Sequence, residues 1–305
     1  EALVPHLTGD QLDQARQIAE AMSPSGGINF PKEDALAAVV ERYAAVGRVD
    51  SALEILDDLE PPHCWIKAAA GAIGSLPEDQ RTAVLQQALR KIRVIDDPFY
   101  RAEAYLALAP SAKCMQAHER SACLREACRA ARALGKDRMT VRWLTALVPH
   151  LPRRVQIRTL DYASNVLDGI NDDFYSDPLV VRSALSKQYA RLGAVDRALK
   201  VVATGMRAVS ALLGQATVIG HLPEADRARV VAMCEKQAEA LETESRLRVI
   251  GLLADHLPPT RRHAVLADAL ADVLEIGDGE ACREAIFLVT PVLAELGDLA
   301  NARAL

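Results

Sequence analysis

The sequence predicts an all-α chain, an α-solenoid wound as a right-handed superhelix of about eight helix-turn-helix hairpins. Three observations carry that prediction. One joint is printed four times, in GAIGSLPEDQR, TALVPHLPRRV, TVIGHLPEADR and LLADHLPPTRR, with the leucine-proline step at Leu76-Pro77, Leu151-Pro152, Leu222-Pro223 and Leu257-Pro258. A glycine form of the joint occurs in YAAVGRVDSAL, YARLGAVDRAL and VLAELGDLANA. The spacing is regular: Thr8, Gly47, Pro77, Ala112, Pro152, Gly193, Pro223, Pro258 and Gly297 fall 39, 30, 35, 40, 41, 30, 35 and 39 residues apart, which are helical-repeat periods. The order 39, 30, 35, 40 is followed by 41, 30, 35, 39, so a four-hairpin block reads as duplicated, over 9–152 and 153–297 of one repeat domain, 1–305.

Each element has a local reason. At the first joint, EALVPHLTGDQ reads as the tail of a leading helix and the start of its trailing partner. At Gly47 the left-handed conformation that ends a helix suits a residue without a Cβ, and Asp50 follows early enough to favour the positive end of the next helix. At Leu76-Pro77 one helix is expected to end at the leucine and the next to begin at the proline, whose missing N–H has no partner to lose there. Asp97-Pro98 reads as the cap and first residue of a leading helix, continued by Ala102, Tyr105, Leu106 and Ala109 at helical spacing. The same logic places boundaries at Ala112 and Pro152. The second block then repeats the scheme, with Asp177-Pro178 as a cap, the Gly193 joint with Asp196, and Pro223 and Pro258. Leu266, Ala269, Leu270 and Val273 mark a late trailing helix before the Gly297 joint. Tyr43, Gly47, Asp50, Ala52 and Leu53 meet Tyr189, Gly193, Asp196, Ala198 and Leu199 at an offset of 146 residues. No alternating strand pattern competes.

Composition fits thin helical layers. With four phenylalanines, six tyrosines and two tryptophans, the core is expected to be alanine and leucine. No apolar run approaches the ~18 residues of a membrane span, so a soluble, cytoplasmic chain without a signal peptide is expected. Glu1 in place of an initiator methionine, and ends that lack polar capping repeats, are what a piece of a longer protein would show.

Chemistry-bearing residues offer little. Cys114, His118, Cys123 and Cys128 lie close in sequence, but no C-x-x-C pair occurs, and Cys64, Cys234 and Cys282 are isolated, so the six cysteines read as buried thiols and no metal is assigned. His6, His150, His221 and His256 recur at one place in the joint, which predicts a structural role at helix C-termini, offsetting the dipole or bonding a free carbonyl. No phosphate-binding loop, nucleophile elbow or H-E-x-x-H is present, and the acidic pairs Asp57-Asp58, Asp96-Asp97 and Asp172-Asp173 read as caps and turns. The chain is expected to be no enzyme and to need no cofactor.

Charge is the one functional clue with contrast. Residues 113–158 carry 11 Lys and Arg against Glu119, Glu126 and Asp137, within a chain whose net charge is −5. Such a basic belt attracts phosphate or an acidic segment over about 8 Å at physiological salt, while Arg120, Arg125, Arg129 and Arg132 belong to a trailing helix on the outer face, where a merely solvated surface is the favoured reading. Leading helices of a solenoid line its inner curve. There Arg101, Arg142, Arg182 and Arg248 recur ten or eleven residues before their joints as a candidate binding ladder, joined by Arg138 and by Trp143 as an aromatic anchor. Pairing of each arginine with an acidic residue of the neighbouring hairpin is at least an equal reading of the ladder, and core burial is the favoured one of Trp143.

YAAVGRVDSALEIL and YARLGAVDRALKVV resemble the joint of tetratricopeptide and pentatricopeptide repeats, and the helical pairs as a whole are TPR/HEAT-like. YRAEAYLALAP and LTALVPHLPRR look like the degenerate repeats that follow the nucleotide-binding module of bacterial STAND (NLR-like) signalling ATPases. That resemblance implies a C-terminal sensor recognising a trigger for an ATPase located elsewhere. The function expected is therefore a non-catalytic protein- or peptide-binding repeat module. Nucleic-acid binding through the belt at 113–158 is the first alternative, and scaffolding or self-assembly through uncapped ends the second.

Overall fold

A computed structural model describes residues 4–7, 9–22, 31–170, 178–204, 206, 208–258 and scattered positions from 260 to 271. Among them all regular structure is helical. Fourteen α-helices run in order: α1 (Asp10–Ala21), α2 (Pro31–Ala45), α3 (Val49–Asp58), α4 (Pro62–Ala72), α5 (Glu78–Arg93), α6 (Pro98–Leu108), α7 (Ala117–Ala133), α8 (Arg138–Leu147), α9 (Arg153–Asp168), α10 (Pro178–Arg191), α11 (Val195–Ala203), α12 (Ala208–Val218), α13 (Glu224–Ala238) and α14 (Thr243–Ala254). The chain forms two compact units, Glu1–Gln156 and Ile157–Leu305, with the change falling inside α9. The Thr8 and Gly297 joints, Asp177, Asp172-Asp173, Cys282 and the 266–273 helical pattern lie outside the described residues.

Within the first unit, helices pack on their sequence neighbours, and the leading helices also pack side by side, α2 on α4, α4 on α6 and α6 on α8. In the second unit α10 packs on α12 and α12 on α14. Alanine permits this closeness. Ala68, Ala69 and Ala72 of α4, Ala102 and Ala104 of α6, and Ala198 and Ala216 of the second unit are buried, as are Leu56, Ile66, Leu108 and Leu144 in the first unit and Val202 in the second. Each fully buried leucine or isoleucine stabilises by about 1.5–3 kcal/mol relative to leaving it in water, so the alanine-leucine core supplies much of the driving force, and Trp65, 1% exposed, is the largest side chain fully buried in it.

The glycine joints form as the sequence requires. Gly47 and Gly193 take φ of 80° and 77°. In both, the residue after the glycine donates its N–H back to the tyrosine carbonyl: Arg48 to Tyr43 at 2.9 Å and Ala194 to Tyr189 at 3.0 Å. This is the six-to-one bond of a Schellman ending. Asp50 and Asp196 then sit in the first turns of α3 and α11. Asp97 caps α6 as expected, accepting from Phe99 N at 2.7 Å with Pro98 first in the helix.

The joints at Pro77, Pro152 and Pro223 differ from expectation on both sides: the leading α-helix ends four residues before the leucine, and the next begins one after the proline. Helix α4 stops at Ala72, a 3-10 turn covers Ile73–Ser75, Leu76 is extended, and Pro77 is the N-cap of α5 rather than its first residue. The same sequence of 3-10 turn, extended leucine and proline recurs at Val148–His150 and at Ile219–His221. Pro77, Pro152 and Pro223 use their carbonyls instead, accepting from Arg81, Val155 and Asp226 at 2.8, 2.8 and 2.9 Å. An N-cap residue needs no N–H of its own and its preferred extended ψ suits proline, so the position is equally natural. At the Ala112 joint a longer 3-10 stretch, Ala109–Cys114, leads to Met115 in the leucine's place.

A second device pins the glycine joints. Buried Tyr43 donates its hydroxyl to Asp13 on α1, which also accepts from Arg48 at 2.9 Å. In the second unit buried Tyr189 donates to Asp161 on α9 at 2.9 Å, and Arg197 grips the same carboxylate at 2.7 and 2.8 Å. Burial and the facing carboxylate push the Tyr43 phenol up to about 12 and Tyr189 higher still. The Arg48 bond, the Tyr43 bond and nearby positive charge hold the Asp13 carboxyl below the usual carboxylate range.

Candidate interaction surface

In the first unit the side-by-side leading helices carry a band of polar and aromatic groups. Pro62 starts α4, which places His63 and Lys67 one turn apart on it; Pro98 starts α6 and does the same for Phe99, Tyr100 and Glu103. Lys67 Nζ bonds Asp34 Oδ1 of α2 at 2.6 Å. The His63 ring stacks on Tyr100 with centroids 4.1 Å apart, Phe99 meets Tyr100 edge-on at 5.4 Å, and Phe99 meets Trp143 of α8 at 4.8 Å. Ring contacts thus run without a break from α4 across α6 to α8.

Electrostatics along the band follow burial. Desolvation lowers the His63 pKa, with Lys67 adding to the effect against Asp34, Asp97 and Glu33, so the imidazole is neutral. Desolvation raises Glu103, which Lys67 opposes and Asp34 reinforces. Gly71 of α4 lies under Glu41 of α2, where a Cβ would sit 3.0 Å from the carboxylate oxygen Oε2; the absent side chain leaves room for that acid to lie across the helix pair.

The sequence-predicted residues distribute unevenly. Arg142 is exposed on α8, with Arg138 half-buried at the start of the same helix. Trp143 is 5% exposed and packs on Phe99, so its ring belongs to the core edge beneath the surface. Arg101 on α6 donates to the carbonyls of Ile95 at 2.7 Å and Asp96 at 3.1 Å, just beyond the end of α5. Arg182 is 4% exposed; its guanidinium bonds Val201 O at 3.1 Å and Asp168 at 3.3 Å. Arg248 is half-buried on α14. Arg138, Arg142 and Trp143 are together on one helix, next to Arg101 on α6, whereas Arg182 and Arg248 belong to the second unit. Of the basic belt, Lys113, Arg125, Arg129, Arg132, Lys136, Arg153, Arg154 and Arg158 are exposed.

A recurrent polar residue escaped the sequence reading. Five positions after the joint's leucine or methionine, a side chain reaches back to the turn carbonyls: Arg81 to Leu76 at 2.7 Å, Arg227 to Leu222 at 3.0 Å, and Arg262 to Asp255 at 3.2 Å. Arg120 holds three such carbonyls, Ala112 at 3.0 Å, Met115 at 3.2 Å and Lys113 at 3.3 Å, and Gln156 bonds Val148 and Leu151, both at 3.0 Å. These carbonyls are the orphan acceptors at a helix end. The signal was present in LPEDQR, MQAHER, LPRRVQ, LPEADR and LPPTRR as a fixed polar residue among apolar spacing.

Three of the four joint histidines, His150, His221 and His256, are half-buried, while His6 is exposed. Burial lowers the pKa of His150, His221 and His256, which keeps the rings neutral and removes the dipole-offsetting charge expected of them. A Cβ at Gly220 would lie 3.3 Å from His256 Cε1, so one joint's imidazole rests on the backbone of the joint before it. Burial also pushes the Cys64 and Cys123 thiols up to about 12 and Cys234 to about 11, which removes the thiolate that nucleophilic chemistry needs. Among the described residues no group of three or more His, Cys, Asp or Glu side chains is placed to hold a metal ion, and no helix is long and apolar enough to cross a membrane. No family model matches this chain, and no curated protein matches it.

Proposed function

We propose that the chain is a non-catalytic α-solenoid of about eight hairpins, right-handed and duplicated over 9–152 and 153–297, that binds a protein or peptide through its leading helices. One observation carries the reading. The band over α2, α4, α6 and α8 combines exposed charge at Lys67 and Arg142 with an unbroken series of ring contacts, the mixture of aromatic and charged groups that protein interfaces favour. Arg142 and Arg138 serve as contact residues there. Arg101 and Arg182 are engaged with their own fold and position the helices. The resemblance to STAND ATPases extends this to a ligand-sensing role in a longer cytoplasmic signalling protein.

The exposed arginines of α7 and the start of α9 favour nucleic acid as a second reading, with phosphate contacts and steep salt dependence. One experiment separates the two. Wild type and an Arg142→Glu, Lys67→Glu variant are immobilised in lysate with and without nuclease, and retained molecules are identified. A polypeptide that survives nuclease and is lost from the variant supports the leading-helix surface. Nuclease-sensitive retention replaces it with the nucleic-acid reading, and equal recovery from both proteins refutes the surface.

A further inference from the structure

The two units share the tyrosine-aspartate pin, which matches α9 to α1 at an offset of 148 residues through Asp13 and Asp161, and α10–α11 to α2–α3 at an offset of 146 through Tyr43 and Tyr189. In the first unit Arg16 stands three positions after Asp13, and Glu54 eleven after Tyr43. Arg16 spans from α1 to α3, bonding Glu54 at 3.1 and 3.2 Å and Glu20 at 2.6 Å. In the second unit the residues three after Asp161 and eleven after Tyr189 are Ser164 and Lys200. The long arginine is replaced by a two-atom side chain and the acid by a base. Where Ser164 and Lys200 stand, a cleft of about 320 Å³ lies between α9, α10 and α11, lined by Asp161, Ser164, Asn165, Asp168, Lys200 and Thr204 among others.

Among the described residues the charges of this cleft are not balanced. Asp161 is neutralised by Arg197, whose Nη1 reaches both carboxylate oxygens, and Asp168 faces the buried Arg182 guanidinium at 3.3 Å. Among the described residues no carboxylate pairs with Lys200, which is exposed at the rim. One positive charge is left over, beside the hydroxyl of Ser164 and the amide of Asn165 as neutral donors. A single carboxylate satisfies that set. A dianionic phosphate suits it less, because the carboxylates of Asp161 and Asp168 form part of the wall.

We infer that the α9–α10–α11 cleft is a binding site for a carboxylate-bearing ligand, which supplies to Lys200 the acid that Glu54 supplies to Arg16 in the first unit. The volume is at the small end of ligand pockets, about 300–1,000 Å³, enough for an acidic side chain or a free compound of that size. This site belongs to the second unit and stands independently of the leading-helix surface.

The test uses the full chain, ¹⁵N-labelled, titrated separately with N-acetylglutamate and with a capped peptide of four glutamates, each against sodium chloride of equal ionic strength. Saturable shifts confined to amides of α9 and α11 around the cleft are expected. Lys200→Glu should weaken them about tenfold or more, as the loss of one charge-assisted bond implies. Ser164→Arg combined with Lys200→Glu rewrites the first unit's ion pair, and should abolish binding while the melting temperature is kept or raised. A response to N-acetylglutamate supports a small free ligand, and a response to the peptide alone supports an acidic segment of another protein. No saturable shift with either probe, or a double variant that binds like wild type, overturns the inference.

Discussion

Replacing Arg120 by methionine keeps the aliphatic stem and removes only the guanidinium that closes the joint between α6 and α7. Three carbonyls lose a donor: those of Ala112 and Met115 in part-buried surroundings, and that of Lys113 in water. Hydrogen bonds from a charged group contribute about 1.5–3 kcal/mol each where water is excluded. Here one bond is solvent-exposed and the guanidinium itself stays partly hydrated, so the expected loss is about 1.5–2 kcal/mol rather than the sum. For a cooperative unit of this size that lowers the melting temperature by roughly 3–8 °C. Arg125→Met, on the same helix at an exposed position, is the control and should stay within about 0.5 kcal/mol. Urea and thermal unfolding of both variants decide the matter. If Arg120→Met unfolds with Arg125→Met, the back-reaching side chains are ornaments of the joint and do not stabilise it.

Gly47→Ala and Gly193→Ala should each cost about 1–2 kcal/mol from backbone strain alone, since a Cβ at either meets nothing within 4 Å while φ is 80° and 77°. Gly74→Ala, in equally open space without a positive φ, should be neutral or stabilising, and parallel urea titrations compare the three. Tyr43→Phe and Tyr189→Phe should each lose about 1 kcal/mol, the carboxylates keeping Arg48 and Arg197 as partners; a negligible loss in both would show that the pin is a consequence of packing. Acidification should lower the melting temperature from pH 6.5 downward. Burial depresses the folded-state pKa of His63, His150, His221 and His256 below the ordinary 6.5, so the unfolded chain takes up protons first and stability falls as pH drops through the folded values. Glu103, raised by burial, works in the opposite sense, losing its contribution as pH rises above its ordinary 4.5. A melting temperature that is flat or rising between pH 7 and 5.5 would contradict the histidine burial.

Helix order was legible because backbone requirements leave one-residue marks. A positive φ asks for glycine, an extended residue precedes proline, and an aspartate before proline caps, which is why Gly47, Leu76 and Asp97 take the backbone roles their types announce. The 3-10 turn between helix end and leucine has no mark of its own, so the end of α4 was misplaced by four residues and the start of α5 by one. Side-chain destinations were harder. Arg101, Arg142 and Arg182 share a position in the repeat, yet one meets carbonyls, one faces water and one is buried, because reach depends on which acceptors the neighbouring helix end exposes. The joint histidines misled for a related reason. Helix-dipole arguments assume a hydrated ring, and here desolvation dominates.

The difference between the two units is more informative than their agreement. Both keep Tyr, Asp and the left-handed glycine, the groups that set the angle between a leading and a trailing helix, and both bury the same tyrosine against the same acid. A pair that merely stabilised this corner would serve either unit equally well. Instead Arg16 and Glu54 stand where Ser164 and Lys200 stand, a change that reverses a charge, removes a bridging side chain and leaves the corner's backbone as it was. Conserved geometry with inverted surface chemistry means that the fold tolerates either solution. The open, positively charged version is therefore the one whose chemistry needs an explanation outside the fold itself.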